Sequence, residues 1–183
     1  MVDQTSISDN ATLIGSVDET DHTQGPADAP VTLVQYGDYE CPYCGRMYPI
    51  IRSIRKKMGP KLRFVFRNFP LKQMHSYAVR AAEAAEAAGA QGQFWEMHDH
   101  LYEHQNALED DDLRGYADEL GLDGDEFERS VFVEHRYEEQ IRADFKSGIH
   151  SGVNGTPTFF INGSRYDGAL SEDALLLSIE NAM

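Results

Sequence analysis

The chain contains two cysteines, three positions apart in Tyr39-Glu40-Cys41-Pro42-Tyr43-Cys44-Gly45. A Cys-x-x-Cys pair can be a structural disulfide, half of a zinc site, or a redox dithiol. A bridge across so short a loop removes little entropy from the unfolded chain and stabilises little. Zinc takes four ligands in a tetrahedron, and the sequence holds no second Cys-x-x-Cys. The redox use fits the context best, because the pair falls where a strand-like run gives way to a helix-like run. There the first sulfur meets the positive end of a helix dipole and amides that lack intrahelical partners. Cysteines so placed have pKa values of roughly 3.5 to 7.5, against about 8.5 for a free thiol. Cys41 is therefore the expected nucleophile, exposed and ionised at neutral pH. Cys44, one turn on, is the expected resolving thiol, more buried and less acidic. Pro42 and Tyr43, between the sulfurs, are placed to tune the pair.

The elements that must position this dithiol are legible around it. Val31–Tyr36 reads as a strand, and Arg46 to Met58 continues a helix with apolar residues at 47, 48, 51, 54 and 58. Pro49 removes one backbone bond and predicts a kink, and Gly59-Pro60 ends the helix. Leu62–Arg67 is a second strand, so the strand–helix–strand order predicts a parallel pair with a right-handed crossover. From about Ser76 to Ile149 only helices are read: Tyr77–Ala88 stopped by Gly89, Gly92–His104, Asp112–Leu120 and Asp125–Phe132 after the capping box Asp123-x-x-Glu126. Tyr137, Ile141, Phe145 and Ile149 then repeat every four residues, one stripe of a further, last helix of the block. Thr158–Ile161, the turn Asn162-Gly163 and Ser164–Tyr166 predict a hairpin. A final helix capped by Ser171 runs through Ala182, with Leu175, Leu176 and Ile179 inward. Residues 1–24 read as a flexible acidic lead-in in which Ala11–Gly15 can add an edge strand. Residues 25–75 and 150–183 then form an α/β unit, interrupted by a helical insertion over 76–149.

The 183 residues carry 16 Lys and Arg against 31 Asp and Glu, a formal net charge of −15. That balance excludes nucleic acid and anionic membranes as expected partners, since both need clustered cations. A solvated acidic surface is the simplest use of the charge. No apolar run reaches the roughly 18 residues that span a bilayer. Met1 to Gly25 has neither a basic n-region nor an apolar h-region, so the cytoplasm is the expected location, with export after removal of a leader as the alternative.

Several spaced motifs together resemble the DsbA-like branch of thioredoxin-fold thiol–disulfide oxidoreductases. They are the Cys-x-x-Cys after the first main strand, Pro49, Gly155-Thr156-Pro157 before the third strand, Phe66–Leu71 and Gln91–His98. The resemblance implies a thioredoxin-like β-α-β…β-β-α fold with an all-helical insertion. It also implies exchange of disulfides with protein or peptide thiols through the Cys-Pro-Tyr-Cys dithiol, and a recycling redox partner. No cofactor is implied, because the dithiol itself carries two electrons. A reductase or glutathione-linked enzyme on the same fold, or a redox-inert chaperone or binding module, are the alternatives. Pro157 resembles the family's cis-proline, and Thr156 would then bind substrate through its backbone. Tyr43 adds no positive charge, so the implied potential is less oxidising than about −120 mV, the family's strongest.

The resemblance also makes Gln35 a point of departure. Related folds often hold a carboxylate six residues before the first cysteine, beneath the second, where it takes the resolving thiol's proton. Gln35 is a neutral amide that cannot. The bland alternative is that Gln35 faces elsewhere and bonds the backbone. Among the histidines, His98, His100 and His104 are close in sequence, but no His-Glu-x-x-His motif supports a metal, and none is expected. His75 is expected to cap or orient the insertion. Phe64, Phe66, Phe94, Trp95 and Phe145 are expected in the core.

Overall fold

A computed structural model describes residues 11–183. Five strands form one sheet in the order β1-β3-β2-β4-β5: β1 His22–Gln24, β2 Val31–Gly37, β3 Leu62–Asn68, β4 Thr158–Ile161 and β5 Ser164–Tyr166. Only β2 and β3 run parallel. They are joined through α1, Pro42–Met58, as the strand–helix–strand order requires. Both central strands are apolar on both faces because both faces are covered. Val31, Leu33, Phe64, Phe66 and Phe159 pack with Met47, Ile51 and Ile54 of α1 and with Leu175 and Ile179 of α7, Glu172–Glu180. Val34, Tyr36, Val65, Phe69 and Phe160 form a second core on the opposite face, completed by Phe145. The Asn162-Gly163 turn has positive φ at both residues, 47° and 83°, as a type I′ hairpin turn demands.

The insertion between β3 and β4 holds α2 Ala78–Ala90, α3 Phe94–Glu103, α4 Asp110–Glu119, α5 Gly124–Glu128 and α6 Glu138–His150. Helix α1 is continuous through Pro49. Gly89 does not stop α2. It lies inside the helix because a side chain there would meet His22 and Phe94 at 3.3 Å, and Gly92, with φ +81°, turns the chain instead. The helix expected over 125–132 is α5 followed by a π-helical turn, Arg129–Val133. Asp123 accepts from the Glu126 N–H at 3.0 Å. Ser171 stands at the N-cap of α7 but its side chain makes no cap bond. The α6 stripe breaks at its end: Ile149 is exposed, and Gly148 takes the buried position, where a Cβ would lie 2.7 Å from the Phe69 ring.

The lead-in is tied down where it is described; its first ten residues lie outside the described residues. The expected edge strand at Ala11–Gly15 shrinks to one bridge, Thr12 to Ser164. Beyond it, β1 closes the far edge of the sheet on β3. Two side chains hold β1 and the loop before it. Asp21 binds the Arg67 guanidinium through two bonds, 2.7 and 2.9 Å, and His22 stacks on Phe94 with ring centroids 3.4 Å apart.

Candidate active site

The dithiol stands at the C-terminal end of β2, where α1 begins. Cys41 is the N-cap of α1, with extended backbone, and Pro42 occupies the first helical position, where its missing N–H costs nothing. Cys44 is fully buried beneath it, and both thiols are free. Cys41 is held at a pKa of about 5. The main cause is a hydrogen bond from the Cys44 thiol; burial opposes it, and the Thr156 hydroxyl and the amides of Cys44 and Tyr43 add to it. These amides face the sulfur without reaching full cap geometry. Burial pushes the Cys44 thiol well above its ordinary value, and the neighbouring Cys41 pushes it further. The two environments thus separate one acidic thiol from one that holds its proton. One expectation needs correction: Cys41 is only 3% exposed. The Thr156 carbonyl lies 3.4 Å from its sulfur, and Pro42 and Tyr43 are the exposed residues of the turn.

Long-range contacts, invisible in the local sequence, fix the turn. The Asp38 carboxylate, fully buried, accepts from the N–H groups of Glu40 and Leu71 at 2.8 Å and meets His75 Nδ1 at 2.7 Å. Burial opposes the His75 charge, but the bond to Asp38 and the charges of Asp38 and Cys41 outweigh it, and the His75 pKa is raised. His75 therefore pins the active-site loop rather than capping the insertion. Gln105, in the loop after α3, donates Nε2 to the carbonyls of Tyr39 at 2.7 Å and Cys41 at 2.9 Å. Gly45 leaves room for this strap, since a Cβ there would sit 1.9 Å from Gln105 Oε1.

The remaining candidates fall into two groups. The Thr156–Pro157 peptide bond is cis, and this segment lies against Cys41. Gln35 is buried on the face of β2 that carries α1 and lines a small cavity with Tyr48, Asp99 and Tyr102. The histidines of α3 are not gathered for a metal. His98 is buried, bonds the Tyr39 hydroxyl at 3.0 Å and has a pKa lowered to about 3 by burial, whereas His100 and His104 stack on Tyr116. Among the described residues no cluster of His, Cys, Asp or Glu could hold a metal ion. Phe64, Phe66 and Phe94 are buried, and Trp95 and Phe145 are packed against the cores.

A family model described as Thioredoxin matches residues 17–181. The chain belongs to the thioredoxin family. Within this family its fold is the DsbA-like form with a helical insertion. The thioredoxin-fold chain of oxidised BdbD from Bacillus subtilis superposes with a TM-score of 0.83, at 23% identity, over 95% of this chain and 98% of that one. The thiol-disulfide exchange protein alpha-DsbA2 from Wolbachia pipientis gives 0.79, also at 23% identity, over 91% and 89%. In sequence, this thioredoxin-family chain is 48% identical over 164 residues to a Salinispora arenicola protein named Na(+)/H(+) antiporter NhaA 1, a match covering 90% of this chain and 25% of that protein. The chain thus spans about a quarter of the length of the curated relatives it matches. Among the described residues no helix is long and apolar enough to cross a membrane.

Proposed function

We propose that the protein is a thiol–disulfide oxidoreductase acting on protein or peptide substrates through Cys41 and Cys44. The observation that carries this reading is the geometry of the pair: Cys41 caps the start of α1 against the cis Thr156–Pro157 segment, with Cys44 fully buried beneath it, an arrangement that lowers the Cys41 pKa and raises that of Cys44. In the oxidising direction, a substrate thiolate attacks Cys41 of the protein disulfide. Cys44 leaves and takes up a proton, and a second substrate thiol then displaces Cys41, whose stability as a thiolate makes it a good leaving group. In reverse, Cys41 attacks a substrate disulfide and Cys44 resolves the mixed disulfide. Two electrons move in either case, and no cofactor takes part.

Substrate docking involves the surface next to the turn. An open groove of about 610 Å³, lined by Tyr43, Arg46, Pro49, Ile50 and Leu170, lies beside the dithiol. Tyr43 and Leu170 are exposed apolar side chains there, which suits an extended or unfolded polypeptide. Thr156 supplies backbone groups for pairing with that polypeptide, as in β-augmentation. The setting that fits is an oxidising compartment outside the cytoplasm, since cytosolic thiols are kept reduced. The likeness to exchange proteins of DsbA type supports export over the cytoplasm.

Insulin reduction by dithiothreitol tests the assignment. Wild type should accelerate it and Cys41→Ser should not. Equal rates for the two proteins, with substrate still bound, would show a binding module instead.

A further inference from the structure

The net charge of −15 hides a local reversal. From Arg52 to Arg67 the chain carries seven of its 16 Lys and Arg and no Asp or Glu. Lys57 is neutralised by Glu172 at 2.6 Å and Arg67 by Asp21 at 2.7 Å. Arg52, Arg55 and Lys56 stand three and four residues apart, so they share one face of α1. Together they line an open cavity of about 360 Å³ at the end of α1 remote from the dithiol. Gln24, Gly25, Gly59 and Leu62 complete its walls.

The cavity suits negative charge. Arg55 and Lys56 make no hydrogen bond or ion pair among the described residues. Arg55 is half-buried, and its guanidinium is held 5.7 Å from the centroid of the Phe64 ring. Burial works against its charge more than the nearby Asp99 supports it. An unpaired charge so placed costs stability, and a bound anion would remove that cost. Arg52 gives Nη1 to Tyr48 and Glu103, while its Nε and Nη2 make no bond among the described residues. The Gln24 amide is also without a partner among them, so its NH2 group is available to an anion. Gly25 and Gly59, with φ of +92° and +54°, present bare backbone, and a side chain at Gly25 would collide with the Leu62 carbonyl. Glu103 and Asp99 of α3 are the acidic neighbours; neither lines the cavity, and Glu103 is already paired with Arg52. Cations at the end of α1 also complement the helix dipole, but that use needs no cavity and does not extend to Arg52, which lies outside the last turn.

We propose that this cavity binds a phosphate group, with Arg55 as its main ligand and Arg52 and Lys56 as supporting cations. A guanidinium fork matches phosphate oxygens two at a time. The volume lies near the low end of the roughly 300–1,000 Å³ of small-molecule sites, which suits one phosphate-bearing head rather than a large ligand. A free phosphorylated compound and a lipid headgroup present the same oxygens to these cations. Binding here is a function separate from thiol exchange and does not depend on it.

The test titrates the full chain with inorganic pyrophosphate, against sodium chloride of equal ionic strength. Calorimetry and the amide resonances of Gly25 and Gly59 report binding. Wild type should saturate at a single site, with shifts centred on the two glycines that chloride does not reproduce. Arg55→Gln should weaken binding at least about tenfold, the scale of one hydrogen bond to a charged group, and adding Lys56→Gln should abolish it. Lys57→Gln removes the same charge outside the cavity and should stay within about twofold of wild type, a margin well inside the loss of one such bond. Thermal unfolding shows that each variant folds, and pyrophosphate should raise the wild-type midpoint but not that of Arg55→Gln. Vesicles of phosphatidylcholine and phosphatidic acid distinguish the sources. Co-sedimentation that pyrophosphate competes away and Arg55→Gln loses assigns the site to a lipid headgroup; saturation by pyrophosphate without co-sedimentation assigns it to a free compound. No saturation in wild type, shifts matched by chloride, equal losses in Lys57→Gln and Arg55→Gln, or vesicle binding that pyrophosphate does not displace overturns the site.

Discussion

Replacing Cys41 with serine isolates what its thiolate contributes to the folded, reduced protein. The Cys41 pKa is about 5, held down chiefly by the Cys44 thiol, against an ordinary 9.0. A group whose folded pKa is depressed stabilises the fold above its unfolded pKa and loses that contribution as pH falls through the folded one. For Cys41 the window runs from about pH 9 down to about pH 5. At pH 7, about two units above the folded midpoint, the contribution is ~3 kcal/mol at about 1.4 kcal/mol per unit. It approaches ~5 kcal/mol near pH 9 and vanishes below about pH 5 by the same arithmetic. Urea unfolding of reduced wild type and Cys41→Ser across this range measures it, together with the smaller changes at Cys44 and His75, whose pKa values the Cys41 charge raises; groups away from the site cancel in the difference. Thiolate absorbance gives the midpoint independently. A stability difference that does not change with pH, or a thiolate midpoint above about 8.5, the free-thiol value, would refute the reasoning.

Gln105→Ala removes two donors from the active-site turn, each worth about 1 kcal/mol, and should lower stability by ~1–3 kcal/mol in denaturant titrations while speeding amide exchange around Tyr39–Cys41. His75→Gln removes a positive charge that faces Cys41, so the thiolate midpoint should rise, by less than about one unit; an unchanged midpoint would remove His75 from the site. Burial raises the Asp144 pKa to about 7, so its ionisation costs the fold stability between the ordinary carboxyl value and that pH. Asp144→Asn keeps an oxygen for the Asn68 N–H and should be near neutral at about pH 4 and stabilising above about pH 7, as urea midpoints at the two pH values will show.

The parts of the fold legible in the sequence are those with local signals. The apolar run of β2, the Cys-x-x-Cys at a helix start, the Asn162-Gly163 turn and Gly155-Thr156-Pro157 each announce themselves within a few residues. A helix end expected at Gly89 failed because that glycine serves packing rather than termination, and the stripe expected to include Ile149 failed because Gly148 takes the buried position. Strand β1 was hidden because His22–Gln24 is polar and acquires its structure from β3 and from Phe94. The site shows the same division. Cys41 and Cys44 could be read directly. Asp38, His75 and Gln105 could not, because their roles come from contacts across tens of residues, such as Gln105 to Cys41 at a separation of 64. The one available signal was chemical: a carboxylate at Asp38 inside an otherwise apolar strand end demands a partner.

The most direct test of the exchange function is to trap its intermediate. Reduced Cys44→Ser is mixed with a disulfide-containing unfolded protein and run on a non-reducing gel, and the adduct is mapped by mass spectrometry. A covalent adduct at Cys41, released by dithiothreitol and absent when Cys41→Ser is added to the same chain, is the expected result. No adduct with Cys44→Ser, or an equal yield through Cys44 in the single variant Cys41→Ser, would contradict the assignment of nucleophile and resolving thiol.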